Sequence, residues 1–173
     1  MIYKIVKYPH PVLEQKCDPV GEEEFGQSEL KQFVANMFAT MYAAKGVGLA
    51  APQVGLKKRI TVIDPSAGED PAQRLVLINP EIVAKEGRLV EEEGCLSIPG
   101  FREPVARAEK TTVKARDEDG KWFEATGVDL LSRAIQHEND HLDGVLFINR
   151  LSPLKRDMIR RKIRKLQKAG EWD

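Results

Sequence analysis

Cysteine is scarce in this chain, with Cys17 and Cys95 the only two in 173 residues. A disulfide framework needs more, so the fold is expected to rest on burial, in a reducing setting where a thiolate stays available as a ligand. Long apolar runs are also missing. No stretch of about 18 apolar residues exists to cross a bilayer, and the opening Met1-Ile-Tyr-Lys-Ile-Val-Lys lacks the apolar core of a signal peptide. Neither charge is in excess. Lysine plus arginine and aspartate plus glutamate stand at 27 each, which excludes a global field for DNA or a membrane. The expectation is a soluble, cytoplasmic protein with neither as partner.

The hydrophobic share of 42% over this length suits one domain, residues 1–173. Charge is unevenly spread along it. From Leu151 onward there are 8 basic and 3 acidic residues, against 19 and 24 before it. Ser152-Pro153 opens a helix there, with Leu154, Met158, Ile159, Ile163 and Leu166 expected on one side. Residues 152–169 are thus a basic C-terminal helix. Its charge is either a solvated face or a contact with RNA or an anionic surface.

Three histidines are present, and two of them carry the chemistry. Residues 136 to 144 read Gln-His-Glu-Asn-Asp-His-Leu-Asp-Gly. In a helix, His137 and His141 lie one turn apart, about 40° from each other around the axis, so both imidazoles can reach one metal ion. Glu138 then falls beside the ion without binding it, where it can take a proton from an activated water. H-E-x-x-H is therefore a motif with a mechanism. Asp129 is the expected N-cap, Leu130, Leu131, Ala134, Ile135 and Leu142 the apolar stripe, and Gly144 the stop. Asn139 is expected to face away from the metal.

A catalytic site of this kind wants a third protein ligand and an open position. Cys95, in Glu91-Glu92-Glu93-Gly94-Cys95-Leu96-Ser97, is the choice, since a thiolate suits borderline metals and glycine leaves room for approach. Glu91, Glu92, Glu93 and His10 are its rivals. A downstream ligand of the metzincin kind would fall on Phe147, and Glu171 is the one late glutamate. Cys17 reads as a partly buried free thiol.

The rest of the chain reads as α+β: antiparallel strands around a central helix bearing the motif, plus the C-terminal helix. Residues 1–27 are irregular, and a core helix starts with Ser28 as N-cap and stops at Gly46. Gly46 to Gly55 is rich in small residues that permit close backbone approach, with Gln53 as an amide donor. Strands are expected at 59–64 and 75–79, and a hairpin at 111–126.

Three segments in order resemble the signature motifs of peptide deformylases. Gly46 to Gln53 matches G-φ-G-φ-A-A-x-Q, Glu93 to Ser97 matches E-G-C-φ-S, and Gln136 to His141 matches Q-H-E-φ-D-H. The likeness continues through Leu-Val-Leu-Ile-Asn-Pro and Leu-Ser-Pro-Leu-Lys, so it spans nearly the whole chain. Asn139 departs from the pattern, which usually has an apolar residue there. The resemblance implies a metal-dependent hydrolase that removes the N-formyl group from the N-terminal formylmethionine of new polypeptides and releases formate. It carries metal ligation to Cys95, His137 and His141, acid/base work to Glu138, and carbonyl polarisation to Gln53 and the Leu96 backbone N–H. Val47, Leu130 and Ala134 are implied for the methionine pocket, with Gly48 and Arg102 for the peptide beyond it. Arg133 either borders the cleft or covers apolar surface with its stem. One divalent ion is implied, Fe(II) in the cell with Zn(II) or another metal as substitute, together with contact between the basic helix and the ribosome. The rival functions are a general metalloendopeptidase and a metal-stapled ribosome-binding module without catalysis.

Overall fold

Residues 1–172 are described by the computed structural model. Three helices, α1 (Ser28–Ala43), α2 (Asp129–Leu142) and α3 (Pro153–Lys168), accompany seven strands. The strands are β1 (Gly48–Ala50), β2 (Ile60–Ile63), β3 (Leu75–Glu86), β4 (Leu89–Cys95), β5 (Ile98–Arg107), β6 (Lys110–Arg116) and β7 (Trp122–Val128). All ladders are antiparallel, in a five-stranded sheet of order β1-β2-β3-β6-β7 and a separate β4-β5 hairpin. The α+β expectation holds, and the hairpin at 111–126 appears as β6 and β7.

β2 is buried at every position because both sheet faces are covered. Strand alternation sends Ile60 and Val62 to one side and Ile63 to the other. The first pair packs with Val34, Met37 and Met41 of α1, whereas Ile63 packs with Leu77, Val113, Ala134 and Ile135 under α2. Each such side chain contributes about 1.5–3 kcal/mol by leaving water. A third cluster joins Ile98 and Val105 of the β4-β5 hairpin to Leu13, Phe147, Ile159 and Ile163. That cluster fixes the hairpin against the remainder of the molecule. Asn79, at φ 52, and Pro80 interrupt β3, and the ladder to β6 shifts register there. Beyond this point β3 pairs with β6 alone, which is why it runs well past the expected residue 79.

Several expected helix ends move by a residue. Ser28 is the first residue of α1, not its N-cap, since Gln27 takes that place without a side-chain cap. At the other end Lys45, not Gly46, adopts the left-handed conformation, at φ 58. Its N–H donates to the Tyr42 carbonyl and that of Gly46 to Met41, a six-residue closure in which glycine is the ordinary occupant. Holding an L-residue there costs about 1–2 kcal/mol. Asp129 does not cap α2 either. Val128 is still paired in β7 when the helix begins, so the chain turns within one residue, and Asp129 makes that turn at φ 51. Gly144 ends α2 as expected, at φ 75.

In α3, Ser152 caps with its Oγ accepting from the Lys155 N–H, and Pro153 stands in the first turn. The expected apolar stripe is only partly right. Ile159 and Ile163 are buried with Leu166 beside them, but Leu154 and Met158 are 72% and 48% exposed. The helix contacts the core along the 159, 163, 166 line, and those two residues lie off it. Trp172 then folds back into the same cluster and donates its Nε1–H to the Tyr8 carbonyl at 2.6 Å.

Candidate active site

α2 carries Gln136, His137, Glu138 and His141 on buried positions of one amphipathic helix. The helical spacing does what the motif promises: the two Nε2 atoms stand 3.2 Å apart. Cys95 comes from the tight end of the β4-β5 hairpin, where it pairs with Ile98 after a register shift at Gly94. Its Sγ lies 3.4 Å from His141 Nε2. Ligand atoms of Cys95, His137 and His141 all fall within 4.8 Å of one another.

Tetrahedral ligands at ordinary zinc distances of about 2.0–2.1 Å for nitrogen and about 2.3 Å for sulfur sit about 3.3 Å apart for N to N and about 3.6 Å for S to N. The two separations to His141 Nε2, 3.2 and 3.4 Å, match within about 0.2 Å, so the donor set fits a borderline divalent ion. Among the described residues this is the one such group of three. The rival ligands are elsewhere or otherwise engaged. Glu91 and Glu92 are exposed, and His10 Nδ1 accepts from the Val12 N–H at 3.1 Å. Cys17 packs against Ala50 and Leu142, and burial pushes its thiol up to about 11. Phe147 sets its ring against His137 as part of the core.

Glu93 holds the His137 ring instead of joining the ligands. His137 Nδ1 is 2.7 Å from Glu93 Oε2, a contact that turns Nε2 toward the thiol. Arg107 donates to both oxygens of Glu93, at 3.1 and 2.7 Å, and to Asp140 at 2.7 Å. Asp140 also receives Arg150. Burial alone would raise the Glu93 carboxyl, but hydrogen bonds from His137 and Arg107 hold it well below the ordinary range. Arg133 borders the cleft, one of the two places expected for it, but its charge is turned inward. Its guanidinium is buried and donates to the carbonyls of Leu89, Glu91 and Val105 and to Glu93, clamping both strands of the hairpin to α2.

Glu138 is 4% exposed, and burial pushes its carboxyl up to about 7. Its Oε1 has no hydrogen-bond partner among the described residues, and neither has His141 Nδ1. The glycine-rich segment is what lets this carboxylate lie where it does. A Cβ on Gly48 would meet Glu138 Oε2 at 2.5 Å, and one on Gly46 would meet Leu96 Cδ1 at 2.8 Å. Gln53 follows on the short turn Ala51–Val54, its Oε1 accepting from the Ala50 N–H at 3.0 Å. That contact aims Nε2 at Ser97 Oγ, 3.1 Å away, and Cys95 Sγ, 3.5 Å away.

These groups form the floor of a cleft of about 620 Å³. Val47, Gly48, Leu96, Arg102, Leu130 and Ala134 line it too, so every residue implied for substrate faces the same space. Leu130 is 49% exposed at its mouth, which explains an apolar residue left off the core. Asn139 lies on the opposite side of α2, beside Ile82 and Ala84, as expected. Sequence reasoning overlooked Arg107, Asp140, Arg150 and Ser97, and it weighed Glu93 only as a ligand. Their partners lie far off in the chain, so no local spacing points to them.

Comparison with known proteins agrees with this geometry. The family model described as polypeptide deformylase matches residues 2–157. A peptide deformylase of Acidobacterium capsulatum is 62% identical over 99% of both chains, and that of Thermodesulfovibrio yellowstonii is 48% identical over 94% of this chain and 97% of its own. The crystal structure of a peptide deformylase from Legionella pneumophila superposes with a TM-score of 0.90 at 46% identity, covering 100% of this chain and 99% of that one.

Proposed function

The chain belongs to the polypeptide deformylase family, and from that premise we propose how its residues remove the N-formyl group from the N-terminal methionine of newly made polypeptides, releasing formate. The observation that carries the assignment of roles is the meeting of Cys95, His137 and His141 within 4.8 Å, with Cys95 and His137 lining the cleft. A divalent ion held by Cys95, His137 and His141 would supply Lewis acidity, lowering the pKa of water and polarising a carbonyl.

Glu138 is the proton carrier. Its carboxylate takes a proton from the attacking water and returns it to the amide nitrogen as the C–N bond breaks, leaving formate and a free amine. Burial suits it to this exchange, because a carboxyl near neutrality both accepts and gives up a proton readily. Charge develops on the formyl oxygen as its carbon becomes tetrahedral. The Gln53 Nε2–H and the Leu96 backbone N–H are the donors assigned to that oxygen, and losing one such donor typically costs about 100 to 1000-fold in rate. Gln53 is pre-set for the task by its own bond to the Ala50 N–H. The methionine side chain lies against Val47, Leu130 and Ala134, with the peptide running out past Gly48 and Arg102. Two imidazoles and a thiolate suit Fe(II) and Zn(II) alike; the family resemblance makes Fe(II) the proposed native ion, with Zn(II) or another divalent metal as substitute.

A single domain, residues 1–173, carries all of this in the cytoplasm. Among the described residues no helix is long and apolar enough to cross a membrane. The ribosome is the proposed docking partner of α3, whose exposed side combines Leu154 and Met158 with Arg161, Lys162 and Lys165. Reversing Arg161 and Lys165 to glutamate should weaken co-sedimentation with ribosomes; unchanged co-sedimentation would remove this partner. For the reaction, formate release from formyl-Met peptides is measured against cleavage of blocked internal peptides, with metal content read on the same anaerobic sample. Glu138→Gln should retain the metal and lose about 10²–10⁴-fold in rate. Equal cleavage of internal peptides would overturn the reading in favour of a general endopeptidase.

A further inference from the structure

The walls of the cleft differ from its floor in charge. At the floor, Glu93 and Arg133 are buried and paired with each other, and Glu93 also accepts from Arg107. Three exposed charged residues remain around the mouth: Lys45, Glu92 and Arg102. Glu92 and Arg102 face each other, with Arg102 Nε 3.9 Å from the Glu92 carboxylate and its NH2 3.3 Å from the Glu92 carbonyl, so their fields largely offset. Lys45 is different: among the described residues no ion pair is made to it.

Its backbone makes the same point independently. Lys45 occupies the left-handed closure of α1 at φ 58, a place where glycine is the ordinary residue and a side chain is strained. Strain kept at the lip of a binding cleft, on a residue whose ammonium has no partner, is accounted for if the ammonium meets the ligand. A formyl-methionyl end seated at the floor must send the rest of its chain out through this mouth.

We propose that Lys45 is a specificity-determining residue that favours nascent chains with Asp or Glu in the first few positions after methionine over those with Lys or Arg. The inference rests on the deformylase reading above. Acidic and basic side chains held about 7–10 Å from one exposed charge in water differ by roughly three- to ten-fold in kcat/KM at low ionic strength. Screening erases most of that at ~0.5 M salt, where the Debye length is only about 4 Å.

Two peptides, formyl-Met-Ala-Glu and formyl-Met-Ala-Lys, with formyl-Met-Ala-Ser as the neutral reference, test it by formate release from the metal-loaded protein. Wild type should prefer the glutamate peptide, Lys45→Arg should keep the preference, Lys45→Gly should lose it, and Lys45→Glu should reverse it. Lys45→Gly is the informative variant, because glycine relieves the backbone and a lost preference cannot then be laid to damage. A wild-type ratio near one, or a ratio unchanged in Lys45→Gly, would overturn the proposal. Failure of wild type to release formate even from the neutral peptide would overturn the deformylase reading, and this inference with it.

Discussion

Gly48→Ala isolates the part that close packing plays in the chemistry. The added methyl carbon would stand 2.5 Å from Glu138 Oε2, 3.0 Å from its Cδ and 3.1 Å from its Cγ. Ordinary contact begins at about 3.5 Å, so the overlap approaches 1 Å at the oxygen. Backbone strain plays no part, since Gly48 belongs to strand β1 and is not among the positive-φ glycines. β1 is held by its ladder to β2 from Gly48↔Ile63 to Ala50↔Thr61, and Glu138 sits on a helix packed into two clusters, so the side chain is the part that gives. Turning it some 30° off its rotamer costs about 0.5–1.5 kcal/mol in stability. Misplacing a reacting group by about 1 Å costs on the order of 100-fold in rate. The expected outcome is therefore a large loss of kcat with a small loss of stability and full metal content, because none of Cys95, His137 and His141 is touched. Formate release, elemental analysis and a thermal melt on one preparation measure all three. Gly26→Ala is the control: its φ is 77 with nothing within 4 Å, so it should lower stability by about 1 kcal/mol and leave the rate alone. Activity of Gly48→Ala within about threefold of wild type would refute the reasoning.

Other perturbations follow from the same contacts. Arg107→Met leaves the buried carboxylates of Glu93 and Asp140 short of a cation, and should cost about 3–5 kcal/mol in urea unfolding together with weaker metal retention in a chelator challenge. Trp172→Ala, which empties a site 4% exposed and breaks the bond to Tyr8, should cost about 3–5 kcal/mol despite lying near the end of the chain. A loss under 1 kcal/mol would show the end to be unanchored. Cys17, whose thiol is pushed to about 11 by burial, should resist iodoacetamide at pH 7.5 in the folded protein and react only on unfolding, as peptide mass mapping can show.

How much of this was legible in the sequence depends on the range of the interaction concerned. The H-E-x-x-H pair is one turn of helix, so its geometry follows from backbone periodicity, and the histidines meet as the spacing requires. A β-rich run marked β2, alternation marked β6 with its return in β7, and Ser152-Pro153 announced α3. The β4-β5 hairpin gave a weaker signal, because its outward face is charged and its inward residues are held by α2 and α3, not by their own alternation. The third ligand was legible only as a preference for sulfur over nearby carboxylates.

What only the tertiary structure decided was each pairing made across long separations. Glu93 was one of three consecutive glutamates, and nothing local distinguishes it from Glu91 or Glu92. It differs because the strand turns it inward to His137, Arg107 and Arg133, residues 44, 14 and 40 positions away. Arg133 does line the cleft, as one reading of the sequence had it, but its clamp on the hairpin was hidden for the same reason, since its four acceptors come from two strands far upstream. Sequence determined the donor chemistry and its helical phase; the fold determined which charges lost their water, and a charge without water is committed to the partner it finds.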